Sequence, residues 1–82
     1  MTIVPINQPV GVLAAFSGGR CSPRRFTWNR RAYEVGGVNG CWIDRHGETP
    51  TWNFSVQVGE ETYYLRLLAA TMEWWLEKVV SP

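Results

Sequence analysis

Cysteine, histidine and lysine are scarce in this 82-residue chain, which has two Cys, one His and the single lysine Lys78. Two cysteines, Cys21 and Cys41, cannot build a disulfide framework, so free thiols and a cytoplasmic chain are expected. A structural zinc site usually draws on four ligands, often in close Cys-x-x-Cys pairs. Neither the count nor the spacing is present, so no metal and no cofactor are expected. Cys41, His46 and Asp44 are the one set that could form a nucleophile, base and orienting group. Such a use would show as fast alkylation of Cys41 at neutral pH.

Other absences narrow the function classes further. The apolar run Val10–Phe16 is too short for a membrane span or a leader core, and no positive segment precedes it, so no membrane association is expected. Gly18-Gly19 and Gly36-Gly37 lack the following helix and lysine that phosphate cradling needs. Glu60-Glu61 reads as a turn, with no apolar pocket to tune a catalytic acid. No small-molecule substrate is expected, and the chain reads as non-catalytic.

Aromatic residues are plentiful: five Trp, three Tyr and three Phe. At 9.4 kDa, surface scaling gives roughly 5,000 Å² exposed when folded against about 13,600 Å² unfolded. That suffices for one small core, which a few large rings can fill. The net charge of +1 is uninformative, but its distribution is not. Five of the eight basic residues lie between Arg20 and Arg31. The second half is acidic, with five Glu after residue 45 against Arg66 and Lys78.

The most informative stretch is Phe26–Val35. Read as a hairpin turning at Asn29-Arg30, it sets Trp28 opposite Arg31, Phe26 opposite Tyr33 and Arg25 opposite Glu34. A one-residue slip would break all three pairs. Asn29 tolerates the left-handed conformation of a type I′ turn, whereas Arg30 stands where Gly is usual, so a three-residue bulged turn is the alternative.

Before it, Met1–Pro9 reads as an extended arm, because Pro5 and Pro9 interrupt regular structure. Val10–Phe16 reads as a strand, followed by the turn Ser17-Gly18-Gly19. Pro23 suits a strand entry and not a central ladder position. After the hairpin, Gly36–Gly40 closes it, Cys41–Ile43 is a brief strand or loop start, and Asp44–Pro50 is the longest exposed connection. Trp52–Val58 alternates and returns through Tyr63–Leu68. With Glu60-Glu61 at the turn, Val58 faces Tyr63, Val56 faces Leu65 and Phe54 faces Leu67.

The C-terminal segment supports two readings. Leu65, Leu68, Met72, Trp75 and Val79 recur at helical spacing. A turn at Ala70-Thr71 instead sets Leu67 opposite Trp74, Arg66 opposite Trp75, Leu65 opposite Leu76 and Tyr64 opposite Glu77. The hairpin reuses the core face already assigned and is preferred, although Ala69–Met72 is poor turn chemistry. The fold class is therefore mainly β: one antiparallel meander or open barrel of SH3-like size over residues 10–82, with five or six strands. The expected core is Phe16, Phe26, Tyr33, Val35, Trp52, Phe54, Val56, Val58, Leu65, Leu67 and Leu76, with Trp28 and Trp74 at its edge.

The pattern Phe26-x-Trp28-x-x-Arg31-x-Tyr33-x-Val35, with Trp42, Trp52-x-Phe54-x-Val56, Gly59, Tyr64-Leu65 and Trp75-Leu76-Glu77-x-Val79, resembles a small bacterial family of uncharacterised domains. Its members often lie beside, or are fused to the end of, the inactive Y-family polymerase homologue ImuB of mutagenic DNA-repair operons. The resemblance covers residues 23–80 and rests on spaced aromatics. Family members usually carry Gly where this chain has Arg30, and a Gly in the last turn where it has Met72. The resemblance implies a compact β-domain with an accessory role in DNA repair, and it carries over no functional residues.

Two functions are expected from these residues. One is a protein-interaction module that binds a partner or a second copy through a free β edge or a Trp-centred patch. The other is a binder of single-stranded nucleic acid, with rings on bases and arginines on the backbone. The candidate surface for either is Arg20, Arg24, Arg25, Arg30, Arg31, Trp42, Arg45 and Trp75.

Overall fold

The computed structural model describes residues 1–46 and 49–82, together with the side chains of all of these except His46. It is all-β: β1 (Thr2–Ser17), β2 (Arg20–Trp28), β3 (Arg31–Glu34), β4 (Gly37–His46), β5 (Thr49–Val58), β6 (Glu61–Leu68) and β7 (Glu73–Ser81). All pairings are antiparallel, and the spatial order is β3-β2-β1-β7-β6-β5-β4. The sheet curls into an open half-barrel with seven strands where five or six were expected. Its surface of 5413 Å² is close to what scaling assigns to a compact chain of this mass.

The organising hairpin forms in the expected register, with Trp28 on Arg31, Phe26 on Tyr33 and Arg25 on Glu34. The Phe26 and Tyr33 rings stack at 5.0 Å and 8°. Arg25 Nε donates to Glu34 Oε1 at 2.6 Å on the outer side. The turn is the two-residue form, because Asn29 and Arg30 both have positive φ, 55° and 65°, as a type I′ turn requires.

The N-terminal stretch departs from expectation. Residues 2–9 are the first half of β1, and they pair with β7 from Thr2↔Ser81 to Pro9↔Trp75. Gly11–Ser17 then pair with β2. Each half of β1 thus has a ladder on one side, so Pro5 and Pro9 sit where a missing N–H need not cost a bond. The register shifts between Pro5 and Gln8, where Asn7 takes a φ of 52°. Pro23 also lies inside a strand, at a bulge: Leu13 pairs with Arg25 and Ala14 with Pro23. The extra residue, Arg24, lets Pro23 and Phe26 both turn inward although three residues apart.

The second long hairpin keeps its faces but shifts its register by two. Val58 pairs with Glu61, Val56 with Tyr63, Phe54 with Leu65 and Trp52 with Leu67. The turn is Gly59-Glu60, with Gly59 at φ 59°, as the first position of a type II′ turn demands. An even shift leaves every side chain on its own face. The C-terminal segment is a strand, with Leu67 on Trp74, Arg66 on Trp75 and Leu65 on Leu76. A bulge then gives Tyr64 to Lys78 and not to Glu77. Of the expected exposed connection Asp44–Pro50, residues 44–46 and 49–50 are instead ladder, through Arg45↔Pro50 and His46↔Thr49, and residues 47 and 48 lie outside the described residues. Likewise Cys41–Ile43 is the middle of a ten-residue strand.

The core is Phe26, Phe54, Val56, Tyr63, Leu65, Leu67, Leu76 and Val79. Tyr63 joins it because the register places its ring 5.0 Å from Phe26 and 5.5 Å from Tyr33. Tyr33, Val35, Trp52, Val58, Trp28 and Trp74 pack around it. Phe16 does not belong: it is 63% exposed. It shares a face with its ladder partner Cys21, but at the tip of the β1–β2 hairpin, past the end of the core.

Between β3 and β4 the chain crosses from one edge of the sheet to the other. Val35 N–H donates to Arg24 C=O at 2.9 Å, and Gly36 N–H donates to Gln57 C=O at 2.7 Å. Beyond this crossing, among the described residues, β4 pairs with β5 alone. Its other edge is open for ten residues.

Candidate functional site

Three surface features emerge. The first is the β4 edge. Val38, Trp42 and Ile43 are exposed there at 41%, 41% and 44%. Edge strands are usually blunted by shortness, Pro, Lys or bulges. β4 has one bulge, between Val38 and Gly40, and charges at Asp44 and Arg45. The segment Gly40–Ile43 between them carries no charge. Trp42 lies on the outer face, edge-on to Tyr64 at 6.2 Å, and Lys78 Nζ stands 4.6 Å from the Tyr64 ring. Ile43 lies on the opposite face, across from Trp52.

The second feature is the basic cluster. Arg20, Arg24, Arg25, Arg30 and Arg31 are all exposed on β2, the adjoining turn and β3. Arg25 is engaged by Glu34. Trp42 and Arg45 are on β4, at the other end of the strand order. Trp75 is on the outer face beside Arg66, with its Nε1 buried and unpartnered. The structure therefore separates the two tryptophans of the expected surface from the arginines of β2, the turn and β3, and leaves Arg45 on the same strand as Trp42. The tryptophan of the same hairpin, Trp28, turns inward to Tyr33 at 6.1 Å and donates to Gln8 Oε1 at 2.9 Å.

The third is a pocket of about 440 Å³ at one mouth of the half-barrel. One wall is the β1–β2 hairpin tip, Phe16–Cys21, and the other is Trp52, Leu67, Ala69 and Met72. The sequence reading missed it, because its walls come from turns some fifty residues apart. The available signal was two apolar residues, Phe16 and Met72, next to turns.

The expected nucleophile set is divided. Cys41 is exposed and three residues from Asp44 on a regular stretch of β4, so the two side chains leave opposite faces. Asp44 Oδ2 accepts from Asn53 Nδ2 at 3.1 Å. Its outer-face neighbours are Arg66 and Glu77, which approach each other to 3.5 Å. The side chain of His46 lies outside the described residues. Cys21 is half-buried and lines the mouth pocket. Burial pushes its thiol pKa up, and the neighbouring Cys41 adds to the shift, so the thiol stays neutral. Among the described residues no three His, Cys, Asp or Glu side chains gather as metal ligands, and no helix is long and apolar enough to cross a membrane. No protein-family model matches the chain, and neither does any curated protein or solved structure.

Proposed function

We propose that the chain is a non-catalytic protein-interaction module that works by strand addition at β4. The observation that carries this reading is the open ten-residue edge of β4 with Val38, Trp42 and Ile43 exposed on it. An added strand satisfies the outward N–H and C=O groups, and pockets for alternate side chains supply selectivity. A second copy of the chain is the first partner such an edge meets, because the same edge is present on every molecule. The resemblance to the ImuB-associated family supports an accessory role in bacterial DNA repair, and the two free thiols support a cytoplasmic chain.

The test is sedimentation of the wild type and of Ile43→Lys over a wide concentration range. The reading expects reversible dimers of the wild type and monomers of the variant. A wild type that stays monomeric into the millimolar range contradicts it.

Single-stranded nucleic acid is the second reading, favoured by the exposure of Arg20, Arg24, Arg30 and Arg31 on one part of the sheet. Phosphate-led binding of this kind weakens steeply with salt. No tryptophan offers an open face beside Arg24, Arg30 and Arg31, since Trp28 faces inward and Trp42 and Trp75 lie on other strands, which leaves the exposed Phe16 ring near Arg20 as the stacking surface of this reading.

A further inference from the structure

The mouth pocket has a composition that the strand-addition reading does not use. Its walls are Phe16, Cys21, Trp52, Leu67, Ala69 and Met72, and its single charged lining residue among the described residues is Arg20. Ligand pockets of small proteins have this form: a concave apolar wall with few polar groups, often in the mouth of a β-barrel. Phe16 and Met72 stand 63% and 61% exposed at the opening, so a bound apolar group would remove both from water. The turn Gly18-Gly19, at φ 58° and 77°, has nothing within 4 Å of where either Cβ would lie. The entrance beside Arg20 is therefore open.

We propose that this pocket binds an amphiphile with an aliphatic chain and an anionic head, the chain lying against Trp52 and Leu67 and the head meeting the Arg20 guanidinium at the rim. The size supports a small-molecule ligand: the pocket's volume of about 440 Å³ lies within the roughly 300–1,000 Å³ of small-molecule pockets. The charge supports an anion, because Arg20 is the one charged side chain among the described lining residues. Apolar contact supplies most of the affinity, and the exposed guanidinium selects the head group.

The experiment is a titration of the full chain with decanoate and, separately, with decan-1-ol, followed by NMR and by Trp fluorescence. Decanoate is expected to shift the amides of Phe16–Cys21 and Leu67–Met72 and the Trp52 indole, and to slow alkylation of Cys21 while leaving Cys41 unchanged. Arg20→Gln, an exposed substitution that leaves the core intact, is expected to weaken decanoate by about two- to five-fold and to leave the alcohol unaffected. Ala69→Phe, which fills the mouth from a loop, is expected to abolish both. No shift at these residues, or shifts confined to β4, overturns the proposed site. Equal binding of acid and alcohol, with Arg20→Gln without effect, overturns the anionic head. The self-association of β4 is read separately by sedimentation, so either proposal can fail alone.

Discussion

The Phe26 ring on β2 lies 5.0 Å from the Tyr63 ring on β6, tilted by 54°. These strands are not neighbours in the sheet, so the contact spans the hollow of the half-barrel and holds its two sides together. Phe26 is fully buried, and Tyr33 stacks on it while lying 5.5 Å from Tyr63, so the three rings form a triangle.

Removing this ring should therefore be severe. Phe26→Ala is expected to cost about 3–5 kcal/mol, a large part of the stability of a domain this size. Phe16→Ala, at an exposed ring, should stay within about 0.5 kcal/mol. Urea denaturation of the two variants separates a core Phe from a mouth Phe. Equal losses would contradict the placement of Phe16.

Besides Asn7 and Asn29, whose side chains tolerate it, Arg30 at φ 65° and Met72 at φ 60° occupy left-handed backbone that suits glycine. Holding an L-residue there costs roughly 1–2 kcal/mol, and glycine recovers part of this against its greater freedom when unfolded. Arg30→Gly and Met72→Gly are each expected to raise stability by about 0.5–1 kcal/mol, read as a higher urea midpoint with an unchanged slope. A loss of stability at either position would show that its side chain contributes more than its turn costs.

The two substitutions also mark how far the sequence could be read. Trp28↔Arg31 and Arg25↔Glu34 were legible because charge, ring and turn all favour one register. The second hairpin's core face was legible from alternation, but its register was not: a two-residue slip preserves every face, so pattern alone cannot detect it. Gly59, the residue able to open a type II′ turn, decided it. The N-terminal strand was hidden by Pro5 and Pro9, which only a ladder on one side accommodates. The mouth pocket was hidden for another reason, since its two walls meet only after the sheet has curled.

Stability should fall in alkaline solution. Burial raises the pKa of Cys21 above 9.0 and that of Tyr63 above 10.0, with Glu61 and Tyr33 adding to the latter. Each group holds its proton more tightly folded than unfolded, so its stabilising contribution is complete below the unfolded pKa and is lost as pH rises through the folded one. The urea midpoint is expected to be level from neutral pH to near pH 9 and then to drop. Tyr63→Phe should flatten the upper part of that drop. A midpoint that rises with pH would contradict the sign.

The two thiols should differ in reactivity. Cys41 is exposed and Cys21 is half-buried with a raised pKa, and the thiolate is the reactive form. Iodoacetamide with mass-spectrometric mapping is expected to modify Cys41 first. Modification of Cys21 first would contradict the burial at the mouth.

The most direct test of the central claim is amide hydrogen exchange across β4 at dilute and at high protein concentration, with a single-stranded oligonucleotide added in a parallel series. The account expects alternate amides of Gly37–Ile43 to gain protection as concentration rises, while Arg20–Arg31 stay unchanged with the oligonucleotide. Protection that appears only with the oligonucleotide, at Arg20–Arg31, and is lost in salt would contradict strand addition and put nucleic acid in its place.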